Sequence, residues 1–190
     1  MDEVAMEIDP RTVVEEDIHF YHSLGVTRIS FGIQDFDPEV QAVINRVQPP
    51  EIVESLLTPE VRQKVSVNFD LLYGLPLQTH KTISETLEKV RHFSPDRITL
   101  LKYCHAPEVR KHMKIIKESD LPSDDEIPLM FENIVDNLIS AVYQWVGLDH
   151  FANPTDDLAK AQLSGSIHRT FNGFTPGRVT NMIGLGPTTT

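Results

Sequence analysis

Carboxylate and amide side chains interrupt three apolar stretches that have the composition of β-strands. They are Glu7, Gln34 and Asp70, and Asp70 follows Asn68 at a spacing of two residues. Because alternate residues of a strand point to one face, Asn68 and Asp70 share a face of an otherwise apolar segment. A buried carboxylate without a partner is unfavourable. These side chains therefore face either loop amides and arginines or a polar ligand, and three equivalent positions favour a ligand.

The elements that carry these residues alternate between strand and helix. Strands are predicted at 4–8, 27–34, 65–74 and 96–103, with amphipathic helices between them. This alternation predicts parallel βαβ units, in which ligands bind at the carboxyl ends of the strands. We therefore predict an α/β fold, a partial (β/α) barrel. It forms a single incomplete domain over 1–190, with βα units to about 106 and a helical, loop-rich continuation over 107–190.

Within the βα units, Asp37 is a predicted helix cap, Pro59 a predicted helix break, and Thr82 with Glu85 a predicted capping box. The continuation is predicted to contain a long helix that runs to about residue 145, a stretch over GLDHFANP that is a fifth strand or irregular, and a turn-rich end with one hairpin.

Composition narrows the classes of function. The chain has 190 residues, of which 28 are acidic and 17 are Lys or Arg, so its net charge is −11. This charge disfavours nonspecific binding to nucleic acid or to an anionic membrane. No apolar run reaches the ~18 residues of a membrane span, and the acidic start has no signal-peptide core, so we expect a cytoplasmic location. The single cysteine excludes an internal disulfide and a Cys-rich metal site built from this chain alone.

Several weaker candidates have simpler structural interpretations. The spacing of His19 and His22 suits a metal pair, but without a third ligand a solvated helix face is favoured. Cys104 and His105 are neighbours in a predicted strand end, so their side chains point to opposite faces and no catalytic dyad is expected. Arg46 ends a predicted helix, where it could simply complement the helix dipole.

A set of motifs resembles one known family. The chain is similar, from about Met6 to Gly186, to the oxygen-independent coproporphyrinogen III oxidases of the radical S-adenosylmethionine (SAM) superfamily. The motifs that carry the resemblance are EIDP, GIQDF, NR at 45–46, DLLYGLPLQT, PDRITLLKY, and GLDHFANP with DDLAKAQ. The resemblance implies part of a (β/α)6 barrel, its C-terminal part, in which SAM meets a [4Fe–4S] cluster. It implies oxidative decarboxylation of two propionates of coproporphyrinogen III to vinyl groups, giving protoporphyrinogen IX in haem biosynthesis.

The resemblance also implies contacts to two SAM molecules. Glu7 matches a residue that contacts one of them, whereas Gln34, Arg46 and Asp70 match contacts to the second. Cys104 stands where the family usually has Ala, and the implied contact there is through the backbone. The resemblance leaves the catalytic residues unknown.

A second group of residues is expected on the substrate side. His150, in the GLDHFA segment that distinguishes the oxidases from their haem-binding relatives, is one candidate, with the neighbouring Asp149. Arg169 is a second candidate, because a cation could meet a propionate of the substrate. A buried histidine satisfied by ordinary hydrogen bonds is the alternative for His150, and a surface position is favoured for Arg178.

The sequence departs from the family in its cluster ligands. The family's CxxxCxxC motif is absent, so no metal site is expected in this chain. We therefore interpret the chain as an internal fragment or truncated product that is inactive alone, or as a chain that has lost the radical chemistry. The complete enzyme would be a monomer that needs an electron-donor protein. The alternative is a haem-binding or haem-trafficking protein built on the same barrel.

Overall fold

The computed structural model describes residues 3–170, 173–178 and 181–186. In these ranges six strands form one sheet in the order β1-β2-β3-β4-β6-β5, and β7 and β8 form a separate hairpin. The strands are β1 (Ala5–Ile8), β2 (Arg28–Gln34), β3 (Ser66–Tyr73), β4 (Arg97–Lys102), β5 (Gln144–Gly147), β6 (His150–Ala152), β7 (His168–Thr170) and β8 (Gly173–Thr175). The first four pair in parallel, whereas β6 adds antiparallel to β4. The predicted α/β fold with its parallel strands is confirmed.

The parallel strands are connected by α1 (Glu15–Ser23), by α2 (Pro38–Val43), α3 (Pro50–Leu56) and α4 (Pro59–Arg62), and by α5 (His80–Phe93). Two later helices, α6 (Glu126–Ser140) and α7 (Asp157–Ser164), precede β5 and β7. Short 3-10 turns occupy Pro10–Thr12, Lys111–Ile115 and Glu118–Asp120. No helix within the described ranges is long and apolar enough to cross a bilayer.

One face of the sheet forms the hydrophobic core. Alternate residues of the adjacent strands β2 and β3 are fully buried, namely Ile29, Phe31 and Ile33 in β2 and Val67, Phe69 and Leu71 in β3. They pack against apolar residues of α5 and α6 in one continuous cluster. The opposite face of the same strands carries the polar residues, so the predicted division into an apolar and a polar face holds for β2 and β3.

Caps set the helix boundaries, and some of them differ from the prediction. Asp37 caps α2 by accepting hydrogen bonds from the backbone N–H groups of residues 39 and 40, as expected before a proline. Pro59 separates α3 from α4, also as expected. The predicted cap at Thr82 is wrong, because the hydroxyl of Thr79 accepts the Thr82 N–H at 3.2 Å and starts α5 at His80.

Two further boundaries correct the sequence analysis, and the C-terminal hairpin agrees with it. The helix before Arg46 ends at Val43, so this arginine does not complement a helix end. The long helix predicted to reach about residue 145 ends at Ser140, because Val142 adopts a left-handed backbone and Trp145 belongs to β5. The predicted C-terminal hairpin is confirmed as β7 and β8. The rest of the predicted turn-rich end lies partly at 171–172, 179–180 and 187–190, outside the described residues.

Candidate functional site

Five polar residues on four neighbouring strands form a continuous group on the polar face. Register places Glu7 beside Ser30, Ser30 beside Asn68, and Asp70 beside Thr99. The carboxylate of Asp70 accepts hydrogen bonds from the Ser30 hydroxyl at 2.7 Å and from the Asn68 amide at 2.8 Å. The Thr99 hydroxyl donates to the side-chain amide oxygen Oδ1 of Asn68 at 3.2 Å. We call these five residues the polar row.

The polar row leaves an acid without a cationic partner. Burial raises the pKa of Asp70 above its ordinary value, and the hydrogen bonds from Ser30 and Asn68 oppose only part of this effect. The negative charge of the exposed Glu7 raises the pKa of Asp70 further. The protein groups that contact Asp70 are neutral, and the charged group acting on it is another acid. A bound cation would therefore stabilise this arrangement electrostatically.

The carboxyl end of β2 brings two of the predicted residues together. Gln34 has a left-handed backbone with φ of 67°, where the β2–β3 register shifts. A Cβ atom at Gly32 would lie 2.9 Å from Nη2 of Arg46 and 3.0 Å from Nε2 of Gln34. Both side chains therefore converge over Gly32, and a larger residue at this position would displace one of them. Arg46 Nη2 also donates to the Gly32 carbonyl oxygen at 2.8 Å.

Asp9 holds the guanidinium of Arg46 in place. Its Oδ2 atom lies 3.4 Å from Arg46 Nη1 and accepts a hydrogen bond from Arg11 Nη2 at 2.7 Å, while its Oδ1 atom accepts one from Arg11 Nε at 3.0 Å. The hydrogen bond from Arg11, together with the charge of Arg46, holds the pKa of Asp9 below its usual value. The Nε atom of Arg46 is buried and has no hydrogen-bond partner within the described structure. An arginine with an unused donor is suited to binding a carboxylate.

A second acid, Asp35, supports this site from within the core. It is fully buried and accepts hydrogen bonds from the Thr86 hydroxyl, the Gln78 amide and the Asp37 backbone N–H. Burial raises its pKa, and these donors act in the opposite direction. Gln78 also donates to the Leu72 carbonyl oxygen at 3.0 Å. Asp35 thereby ties the end of β2 to α5 and to the turn after β3.

The substrate-side candidates also meet one another. Nδ1 of His150 lies 2.6 Å from Oδ1 of Asp149, and Nη1 of Arg169 lies 3.8 Å from the same oxygen. The guanidinium of Arg169 lies 4.8 Å from the centre of the Phe174 ring, and the His150 ring meets that ring edge-on at 5.4 Å. A Cβ atom at Gly173 would lie 2.5 Å from His150 Nε2, so β8 can approach the imidazole only through a glycine.

Sheet register connects this group to the polar row. Thr99 pairs with Asp70 on one side and with His150 on the other, so all three side chains share the polar face. The Leu100 backbone N–H donates to the Asp149 carbonyl oxygen at 2.7 Å, which fixes the start of β6. The structure therefore places His150 two strands away from Asp70 on one continuous surface.

Cys104 remains outside this arrangement. It is exposed on the loop after β4, and no hydrogen bond joins its side chain to the polar row within the described ranges. His105 contacts the Tyr103 hydroxyl at 3.1 Å. β4 ends at Lys102, so the strand alternation that argued against a Cys104–His105 dyad does not extend to these two residues. His19 contacts Glu15 at 3.3 Å, and the described residues contain no group of three or more potential metal ligands.

Sequence reasoning missed three groups of this site. Asp9 and Asp35 are short-range neighbours of predicted site residues, but their partners Arg46 and Thr86 are distant in the sequence. Thr99 was not predicted as a site residue either, because its strand lacks a clear polar face. The one available signal was an acid placed directly after a strand, as Asp35 is in GIQDF.

Comparison with known proteins shows which proteins this chain resembles. No protein-family model matches the chain. The oxygen-independent coproporphyrinogen III oxidase of Salmonella typhimurium is 40% identical over 187 residues, which is 97% of this chain and 40% of that protein. The same-named protein of Thermostichus vulcanus is 37% identical over 190 residues, which is 98% of this chain and 58% of that protein. The solved structure of the Escherichia coli coproporphyrinogen III oxidase, described as a radical SAM enzyme, matches with a TM-score of 0.91 at 38% identity.

The chain is a relative of the oxygen-independent coproporphyrinogen III oxidases. The structural match covers 97% of this chain and 43% of the E. coli protein, so the predicted partial barrel of radical SAM type is confirmed. An archaeal Elp3 from Methanocaldococcus infernus matches at 17% identity with a TM-score of 0.56, which shows a shared fold alone. This oxidase relative spans about two fifths of the length of the Salmonella protein. The matched portion contains the polar row and the Asp149–His150 pair.

Proposed function

We propose that this oxidase relative carries the SAM-binding face of a coproporphyrinogen III oxidase. The reaction would be the oxidative decarboxylation of two propionates of coproporphyrinogen III to vinyl groups, giving protoporphyrinogen IX. The observation that carries the proposal is the convergence of Arg46 and Gln34 over Gly32, beside the acids of the polar row. The 40% identity to a protein of that name supports the same assignment.

The side chains present fit SAM, which carries a carboxylate, an ammonium group, a sulfonium group and ribose hydroxyls. The buried, unpaired Nε of Arg46 suits the carboxylate. Asp70 suits a positive group or the ribose hydroxyls, because its own surroundings supply no cation. In this proposal Glu7 contacts one SAM molecule, and Gln34, Arg46 and Asp70 contact a second. Cys104 contributes only through its backbone.

The residues of this chain bind and orient, whereas the bound cofactor supplies the radical chemistry. Asp9 holds the Arg46 guanidinium, and Asp35 holds the strand end that carries Gln34. The [4Fe–4S] cluster does not fit this chain, because its single cysteine cannot supply three thiolates. No step through the cluster is assigned to these residues, and we propose that the chain alone is inactive.

His150 and Arg169 are proposed to face the porphyrinogen. Asp149 orients the imidazole through Nδ1, which leaves Nε2 directed toward Gly173. The Arg169 guanidinium is held on the face of Phe174 and is partly exposed, so it can pair with a substrate carboxylate. A cytoplasmic location, a monomeric state and an electron-donor protein belong to the same proposal.

Calorimetric titration of the 190-residue chain with SAM tests the proposal. We expect Arg46→Met to raise the dissociation constant about tenfold or more, because it removes a charge-assisted hydrogen bond. The matched control Arg91→Met changes an exposed arginine that pairs with Glu88 at 4.0 Å, and it should leave the affinity unchanged. Equal affinity of both variants would overturn the proposal. Binding of haemin without binding of SAM would support a haem-binding protein instead.

A further inference from the structure

Two leucines lie on the polar face of the sheet, directly beyond the polar row. Leu72 in β3 and Leu101 in β4 are partners in the strand register, as Asp70 and Thr99 are two residues earlier. Because alternate residues of a strand share a face, Leu72 lies on the face of Asp70 and Leu101 on the face of Thr99. We call Leu72 and Leu101 the leucine pair.

Burial separates the leucine pair from the leucines that precede it in each strand. Leu71 and Leu100 point to the core face and are 0% and 1% exposed. By contrast, Leu101 is 42% exposed and Leu72 is half-buried. The four parallel strands lie wholly within the described ranges, and among them Leu101 alone presents a large exposed apolar side chain. Such a surface gains free energy when an apolar group of a ligand covers it.

The leucine pair lies between the proposed cofactor contacts and the substrate-side residues. Asp70, the acid proposed to meet SAM, precedes it in β3. Thr99 precedes it in β4 and pairs with His150 of β6, whose ring meets the Phe174 ring edge-on. That ring carries the guanidinium of Arg169 at 4.8 Å from its centre. An apolar group that covers the leucine pair therefore has acids near one edge and a cation near the other.

These charges favour an apolar ring that carries a carboxylate. Asp70 and Glu7 repel an anion, whereas Arg169 is partly exposed and lies at the long distance of 3.8 Å from Asp149, so it can attract one. A pyrrole ring with alkyl and propionate substituents combines an apolar body with an anionic group. The adenine ring of SAM also has apolar faces, but it brings no anion to Arg169.

We propose that the leucine pair is the surface on which one pyrrole ring of coproporphyrinogen III lies, with the propionate of that ring directed toward Arg169. This inference rests on the proposed function and extends it, because it names the contact for the ring itself. The leucine pair then contributes to substrate specificity. A tetrapyrrole without carboxylates would lose the pairing with Arg169, and a carboxylate without an apolar ring would lose the contact with the leucines.

Fluorescence titration of the 190-residue chain with coproporphyrin III, the stable oxidised form of the substrate, tests the leucine pair. Leu101→Asn should raise the dissociation constant about tenfold, because it replaces the apolar contact with a hydrated amide. Leu101→Met keeps an apolar side chain of similar volume and should retain most of the affinity. The matched control Leu24→Asn changes a leucine at the end of α1 that is 68% exposed, and it should bind like the unmodified chain.

Midpoints of urea denaturation should be the same for Leu101→Asn and the unmodified chain, which separates a lost contact from a lost fold. Three results would overturn the proposal: no binding of coproporphyrin III by the unmodified chain, equal weakening by Leu101→Asn and Leu24→Asn, or unchanged affinity in Leu101→Asn. If Leu101→Asn weakens SAM instead of coproporphyrin III, the leucine pair belongs to the adenine ring and the proposal is also wrong. A chain that binds SAM but not coproporphyrin III refutes this inference alone, whereas loss of SAM binding refutes the proposed function.

Discussion

The amino end of the sheet and the polar row near its carboxyl end differ in whether their acidic side chains have cationic partners. At the amino end, Arg28 and Arg97 contact Glu3 at 3.0 and 3.3 Å, and Arg97 contacts Asp156 at 2.9 Å. We call these four residues the amino-end ion cluster. Burial acts to raise the pKa of Glu3, but the two arginines outweigh it and hold the pKa below its usual value. The cluster joins the chain start to β4 and α7.

Near the carboxyl end, Asp70 has no such cationic partner among the described residues. Asp70 accepts hydrogen bonds from neutral groups, and its pKa is raised by burial and by Glu7. Arg46 is close to this end but is held by Asp9 and keeps one donor unpaired. The amino end is therefore electrostatically complete and stabilises the fold. The polar row has no charge partner of its own, which agrees with the proposed binding of a positively charged cofactor there.

The largest expected effect is at the amino end. Arg97→Ala would leave Glu3 and the nearly buried Asp156 without their shared cation, and we expect the free energy of unfolding to fall by about 3–5 kcal/mol. Urea denaturation measures this change. The control Lys160→Ala removes an exposed pair with Asp157 and should cost less than about 1 kcal/mol. Equal losses for both variants would show that the amino-end ion cluster is not stabilising.

At the carboxyl end the same kind of change should affect binding rather than stability. Asp70→Asn keeps a polar side chain beside Ser30 and removes the repulsion from Glu7, so the free energy of unfolding should change by less than about 1 kcal/mol. The affinity for SAM should fall about tenfold, as expected when a charged hydrogen-bond partner is lost. A large loss of stability with unchanged SAM affinity would reverse the assignment of the two ends.

The two ends should also respond to pH with opposite signs. The folded-state pKa of Glu3 is lowered, so its contribution to stability is present above its unfolded pKa and is lost as pH falls through its folded pKa. The folded-state pKa of Asp70 is raised, so its contribution is fully present below the unfolded value of about 3.9 and is lost as pH rises through its folded pKa.

Variants that cannot ionise isolate these two contributions. The free energy of unfolding of the unmodified chain minus that of Glu3→Gln should increase with rising pH. The free energy of unfolding of the unmodified chain minus that of Asp70→Asn should decrease with rising pH. Denaturation series between about pH 3.5 and pH 7 measure both slopes. Slopes of the same sign would contradict the contrast between the ends.

Much of the fold and part of this contrast could be predicted from the sequence. Strand alternation correctly separated the apolar face from the face of Asn68 and Asp70, because the strand period is a local property. Gln34 and Arg46, which the resemblance assigns to the same SAM molecule, converge over Gly32. The division into βα units and a continuation from residue 107 stays a prediction, as do the binding roles of the site residues.

The remaining features depend on contacts between distant parts of the chain. Asp35 acquires its role only when Thr86, 51 residues away, supplies a hydroxyl. The antiparallel β5–β6 hairpin adds to β4 where the sequence showed only a short ambiguous stretch, and its pairing is decided by the sheet edge. The cap at Thr79 was missed because Thr82, three residues later, offers the same hydroxyl.

The smallest expected effect is a shift in one titration. Glu7→Gln removes the negative charge that acts on Asp70, so the pKa of Asp70 should fall while remaining above its ordinary value because burial persists. Carbon-13 NMR of the labelled carboxyl group follows this change. An unchanged Asp70 pKa would show that Glu7 does not belong electrostatically to the polar row.

The same NMR titration, performed with and without saturating SAM, tests the central claim most directly. The unliganded chain should show an Asp70 pKa above the ordinary value, because burial and Glu7 disfavour the carboxylate. If SAM brings its positive groups to the polar row, the pKa of Asp70 should fall when the cofactor binds. An Asp70 pKa that is the same with and without bound SAM would contradict the account that the polar row is the cofactor site.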